Sequence, residues 1–197
     1  MLIPIETNTT KLEVKKSRFI ATAFFCNSFI ELKNNIQETR KNNPQARHVV
    51  HSAVLGDKNS IQYSMSDDRE PKNTAGRPSL EVLKGSGITN IGVIIVRYFG
   101  GTLLGTNGLV HAYSDSTKLV LETLKTKELI ETVNFAFKIP YDYYQSVKYC
   151  LEDLKAFEII EKFETIITIS GELPKDNFEK LKEFLTKISS GKINLSN

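Results

Sequence analysis

Three carboxylates, Asp67, Asp68 and Glu70, stand within four positions of one another in a stretch that reads SDDREPKNTAGRP over residues 66–78. Hard oxygens at that density suit a divalent cation such as magnesium, or a general acid–base pair. The competing reading is a solvated loop whose Asp side chains accept turn amides and pair with Arg69, Lys72 or Arg77. No H-x-x-x-H, H-E or D-x-D calcium-loop pattern accompanies the cluster, so neither a metal nor a cofactor is assigned.

Glycine marks the second chemical region. Seven of the eleven glycines lie between positions 85 and 108. The run GGTLLGTNG at 100–108 follows an apolar, strand-like stretch and precedes a helical pattern. Unpaired N–H groups at a helix N-terminus suit an anion. The run is neither a P-loop nor a GxGxxG turn, and tight strand-to-helix packing alone accounts for the same glycines. Gly100, Gly101, Gly105 and Gly108, with the guanidinium groups of Arg77 and Arg97, form the candidate anion-binding set. The alternative is that Arg77 and Arg97 pair internally with Asp67, Asp68 or Glu70.

His48 and His51 are three apart in a strand pattern and so face opposite sides, which argues against a shared metal. His111 falls on the solvated side of a helix. There is no G-x-S-x-G and no cysteine beside a histidine, so no catalytic residue is assigned. Recognition of an anion is better supported than catalysis.

The elements that must position these residues read as follows. Residues 18–26 (RFIATAFFC) form a buried strand. Ser28 stands three before Glu31, a capping-box spacing, and opens a helix that stops by Asn42 and Pro44. Residues 49–55 and 60–65 pair around a turn at 56–59. A short helix begins at Pro78 and closes at Gly85 and Gly87. Residues 89–99 (TNIGVIIVRYF) are the central strand, and a long helix carries Leu109, Tyr113, Ser116, Val120 and Leu124 on one face. Because 66–78 and 100–108 flank that strand, they are expected to meet at one concave surface with Arg77, Arg97 and the acidic cluster around it.

Near Thr132 the grammar restarts, which sets domains of 1–131 and 132–197. Residues 133–139, 142–154, 157–163, 165–173, 174–188 and 193–195 read β-α-β-β-α-β, the split βαβ arrangement of ferredoxin-like domains. Charge divides at the same place. The first part holds 17 basic and 13 acidic residues, all six arginines and all three histidines, whereas the second holds 9 lysines and 10 acids. A mildly basic first domain permits an anionic partner without demanding one. Cys26 and Cys150 have neither disulfide-framework nor zinc spacing and read as reduced thiols. The first residues lack a signal-peptide pattern, and apolar runs such as 93–96 are too short to cross a bilayer. A cytoplasmic protein with no membrane partner is expected.

The block at 66–78, with LEVLKGSGITNIGVIIVRYFGGTLLGTNGLVHAY after it and Ser17-Arg18-Phe19-Ile20-Ala21 and Ala46-Arg47-His48 before it, closely resembles the signature of the YigZ/Impact family. The resemblance implies an α+β protein of two domains. The first is expected to look like the second domain of a small-subunit ribosomal protein, a βαβ-type unit. The second is expected to look like the ferredoxin-like fifth domain of elongation factor G. Carried over position by position are Ser66, Asp67, Asp68, Glu70, Pro71, Thr74, Ala75, Gly76, Arg77 and Pro78. Arg97, Tyr98, Gly100, Gly101, Leu104, Gly105, Gly108 and Tyr113 follow. Arg69 and Asn73 stand where the family commonly has glycine, as does Asn107, and His111 replaces a usual Lys or Arg. The resemblance implies RNA or the ribosome as partner in a translation or stress accessory role. A protein-interaction module and a phosphoryl-substrate enzyme are the alternatives.

Overall fold

Strand β6, Ile91–Tyr98, is buried along almost its whole length, and the first unit is built outward from it. The structure, a computed structural model, describes residues 1–58, 60–193 and 195. It divides into two compact units, Met1–Leu129 and Ile130–Asn197.

In the first unit β6 is flanked on one side by β3 (Ser17–Phe25) and on the other by β4 (His48–Leu55), antiparallel to both. β3 and β4 therefore run parallel to each other with β6 between them, joined by helix α1 (Phe29–Asn42): a split βαβ unit. β2 (Asn8–Val14) and β5 (Gln62–Ser66) complete the edges of a five-stranded sheet in the order β2-β3-β6-β4-β5. β1 (Leu2–Pro4) pairs separately with β7 (Thr126–Glu128). β1, β2 and β7 are strands that the sequence pattern does not announce.

The period-two alternation of β6 sends Val93 and Ile95 to one face and Ile94 and Val96 to the other. The first face packs against helices α2 (Gly76–Gly85) and α3 (Gly105–Glu122) through Leu83, Leu109, Tyr113 and Val120. The second is covered by α1 through Leu32. Each such side chain removed from water contributes roughly 1.5–3 kcal/mol, so the sheet has two cores. Gly92 is required by this packing, since a Cβ there would lie 2.6 Å from the Phe24 ring. α1 starts at its expected cap: Ser28 Oγ accepts from the Glu31 N–H at 3.3 Å, and Glu31 accepts from the Asn27 N–H. α2 begins at Gly76, two residues before the proline that was read as its first turn.

The second unit runs β8 (Thr132–Ile139), α4 (Tyr144–Asp153), β9 (Phe157–Phe163), β10 (Ile167–Pro174) and α5 (Phe178–Ser189). Its antiparallel sheet has the order β8-β10-β9. Phe135, Phe137 and Ile139 of β8 alternate inward with Ile167, Ile169 and Leu173 of β10 against Val147, Leu151, Leu181 and Leu185 of the helices. The strand expected at 193–195 includes Asn194, and the turn at 56–59 includes Asn59. Both residues lie outside those described. Among the described residues no helix is long and apolar enough to cross a membrane.

Candidate functional site

The three clustered carboxylates point in three directions. Asp67 accepts from the N–H groups of Asn73 (2.8 Å), Ala75 (3.0 Å) and Gly76 (2.8 Å). It thereby caps α2 from a distance, which is needed because the N-cap residue itself is Ala75 and offers no side-chain acceptor. Asp68 turns the other way, accepting from the Val49 N–H at 2.6 Å and pairing with Arg40 at 2.8 Å. Partial burial works against ionisation of Asp68. The Val49 N–H and the charges of Arg40 and Arg69 outweigh it and hold the carboxyl below its ordinary value.

Glu70 goes inward and is buried. Its Oε1 accepts from Arg97 Nη1 at 2.7 Å and from the Tyr113 hydroxyl at 2.8 Å, and His48 Nε2 is 3.9 Å away. No cluster of three or more metal-ligating side chains occurs among the described residues.

The turns that produce this divergence need unusual backbone. Asp68, Arg69 and Asn73 have φ of 40°, 69° and 64°. Positive φ accounts for a glycine preference at positions 69 and 73. Gly76 is held by space instead, because a Cβ there would sit 2.7 Å from the Ser66 carbonyl oxygen. Ser66 Oγ accepts from the Asp68 N–H, and Thr74 donates to the Pro71 carbonyl at 2.6 Å.

Arg97 is the residue on which the two regions meet. It sits in β6 opposite His48 of β4 and Phe19 of β3. Its guanidinium lies over the rings of Phe19 and Phe99, and Phe19 packs edge-on against Tyr113 with centroids 5.1 Å apart. Burial, reinforced by the negative charge of Glu70, drives the Tyr113 hydroxyl far above its ordinary pKa, so it remains a donor. His48 Nδ1 is 2.9 Å from the Asp68 carbonyl oxygen, which can only accept. Nδ1 is therefore the donor in this hydrogen bond. Among the described residues, one buried polar atom of this assembly has no partner: Arg97 Nε.

Beside this network opens a cavity of about 430 Å³. Arg97 and His48 line it from the sheet, Glu70 from the 66–78 loop, and Gly105 and Thr106 from the start of α3. Arg47 and Arg69 stand at its exposed side, and Phe99, Leu103 and Leu109 supply apolar wall. α3 has no side-chain cap and no acid in its first turn. Its first N–H groups and the positive end of its dipole are thus available to an anion.

The segments 66–78 and 100–108 therefore meet in part, through Arg69, Glu70 and Pro71 on one side and Gly105 and Thr106 on the other. Arg97 is present, but its Nη1 is committed to Glu70. Arg77 is not in this cavity. It projects from α2 into a separate depression with Val82, Val110 and Lys118 and makes no ion pair among the described residues. Gly100 serves a packing purpose, since a Cβ there would come 2.0 Å from the Lys16 carbonyl carbon. Gly101 and Gly105 have φ of 90° and 72°, and Gly108 lies against Leu104. Tyr98 faces away on the α1 side, its hydroxyl donating to Asn43. Sequence reasoning missed Arg47, Phe99 and Leu103 as cavity residues, and treated Arg69 only as a partner for the neighbouring acids and as a replacement for a common glycine.

The fold and site define a two-unit α+β protein whose first unit surrounds a basic cleft. The family model of the Impact N-terminal domain matches residues 15–121, more than half of the chain. The chain is 32% identical over 195 residues to IMPACT family member YigZ of Escherichia coli K12, covering 98% of this chain and 96% of that one. It is 31% identical over 193 residues to an IMPACT family member of Haemophilus influenzae, with 98% and 94% covered. A crystal structure described as that of a hypothetical protein matches with a TM-score of 0.73 and 32% identity, covering 98% of this chain and 95% of that one. The chain belongs to the IMPACT family.

Proposed function

We propose that this protein is a cytoplasmic RNA- or ribosome-associated accessory factor of translation that holds RNA at the cleft of its first unit. One observation carries the reading: the uncapped start of α3 shares a cavity with Arg47 and Arg69, both exposed. The Arg47 guanidinium has no ion pair among the described residues. Arg69 Nη2 donates to the Arg47 carbonyl at 2.6 Å, which holds that guanidinium beside the cleft. Helix amides and forked guanidinium groups are the donors that phosphate oxygens take. Phe99, 48% exposed, offers a ring on which a base can stack.

Titrating a single-stranded oligoribonucleotide at about 50 and about 200 mM salt tests the reading. Arg47→Ala and Arg69→Ala together should weaken binding and lower the salt slope by about one for each arginine removed. Absence of wild-type binding at the lower salt would end it.

A protein-docking reading draws on a different place. In the second unit, edge strand β9 exposes Phe157, Ile159 and Ile160. Salt-insensitive capture of one protein, lost on Ile160→Lys, would favour that reading. A phosphoryl-transfer enzyme has less support, because Asp67, Asp68 and Glu70 are each tied to backbone or arginine.

A further inference from the structure

Resting on the RNA reading, we infer that the bound single strand does not stop at the cleft. It runs on across the end of the first sheet to the β2–β3 turn, where Lys15 and Lys16 take its phosphates. The topology gathers these cations. Every neighbouring pair of strands in the sheet is antiparallel, so β3 and β4 begin where β2, β6 and β5 end. Lys15 and Lys16 precede β3, Arg47 precedes β4 and Arg69 follows β5, which puts all four at that one end. β3 and β5 are three strand spacings apart, about 15 Å. Gly100 joins the two sides. It lies against the Lys16 backbone, its N–H donates to Ser17 Oγ at 3.1 Å, and its neighbour Phe99 is already a wall of the cleft.

Strain and charge single out the turn. Val14 pairs with Ser17, which leaves Lys15 and Lys16 as a two-residue loop with φ of 48° and 64°. A hairpin loop with positive φ at both positions is met most readily by Asn-Gly, and lysine adopts it at a cost. What lysine adds in return is charge, and backbone strain of this kind gathers at functional sites. Both lysines are exposed, and neither has an ion pair among the described residues. Glu13, the one acid of the hairpin, stands across from Arg18 in register. Residues 99–110 carry no charged side chain, so the segment beside the path does not repel a phosphate. The exposed Phe99 and Leu103 give the bases apolar surface between the two pairs of cations. At the far side Asp68, 3.9 Å from Arg69 Nε, is itself paired with Arg40.

The experiment titrates a single-stranded oligoribonucleotide of about ten nucleotides against the full chain at about 50 and about 200 mM salt. Lys15→Gln with Lys16→Gln removes the charge and keeps the strained turn. It should weaken binding at least about fivefold at the lower salt and reduce the salt slope by about 0.7 to 1 for each lysine. Its melting temperature should not change. Lys15→Asn with Lys16→Gly removes charge and strain together. It should lose the same binding while melting at least about 2 °C higher, so that affinity and stability move in opposite directions. Binding that falls on Arg47→Ala with Arg69→Ala but on neither lysine pair would overturn the path and leave the RNA reading standing. Absence of wild-type binding would end both. Two strands bound per chain would show separate sites and overturn the continuous path. A melting temperature that Asn-Gly does not raise would refute a turn kept strained for its charge. Displacement of the RNA by polyglutamate as readily as by unlabelled RNA would assign the strip to an acidic protein segment instead.

Discussion

The loop from Ser66 to Gly76 and the turn from Phe99 to Gly105 are both irregular, and both flank β6, yet they handle their polar groups in opposite ways. In the first, Asp67 takes three amides, Asp68 takes a fourth and an arginine, and Glu70 takes Arg97 and Tyr113. In the second, the helix that follows starts without a side-chain cap and the neighbouring Arg97 Nε is unpartnered among the described residues. Irregular backbone is thus no mark of a site by itself. Donors left over after the internal accounting are the better sign.

The largest effect should come from cutting the first region at its centre. Glu70→Ala leaves Arg97 charged and buried and the Tyr113 hydroxyl without an acceptor. A loss of about 3–5 kcal/mol in urea unfolding is expected. A loss under about 1 kcal/mol would show that the pair is not internal structure, and the contrast between the two regions would collapse. Asp67→Ala should cost about 1–2 kcal/mol through loss of the α2 cap, with RNA affinity per folded molecule unchanged. Removing charge at the cleft should do the reverse. Arg47→Ala with Arg69→Ala should move stability by no more than about 0.5 kcal/mol while weakening RNA binding.

The smallest effect is one of pH. Burial holds His51 below its ordinary value, against the opposing pull of Asp68. Below about pH 6.5 the unfolded chain binds a proton that the folded chain resists, so stability falls as pH drops through that window. His51→Gln should flatten the wild-type slope between about pH 7 and 5, read by urea midpoints at each pH. An unchanged slope would show that His51 does not titrate with folding.

Much of the frame was legible because apolar period reports burial directly. β6 and α3 follow from runs such as GVIIV and from the spacing of Leu109, Tyr113 and Val120. β2, reading NTTKLEV, escaped because an edge strand needs only Leu12 and Val14 turned inward, and its polar residues resemble a loop. The site was less legible. Nothing local separates Glu70 from Asp67 and Asp68, since the distinction arises where positive φ at Asp68 and Arg69 swings successive side chains apart. Arg47 and Arg69 are 22 positions apart and share the cleft only because the β4–β5 hairpin folds the chain back. Arg77 stood out by its place in the motif, yet the start of α2 at Gly76 carries it toward Val110 and Lys118 instead.

The split order of the first sheet also has a kinetic consequence. β3 and β4 do not pair with each other, and both wait for β6, which emerges from synthesis after them. Until Tyr98 is available, the β2–β3 and β4–β5 hairpins each present an open apolar edge with no partner strand. Long-range pairing of this kind is slow, because loop closure must precede the contacts that reward it. A nascent chain halted before Ile91 therefore has two hairpins and no sheet, and its exposed edges are where association with other chains begins.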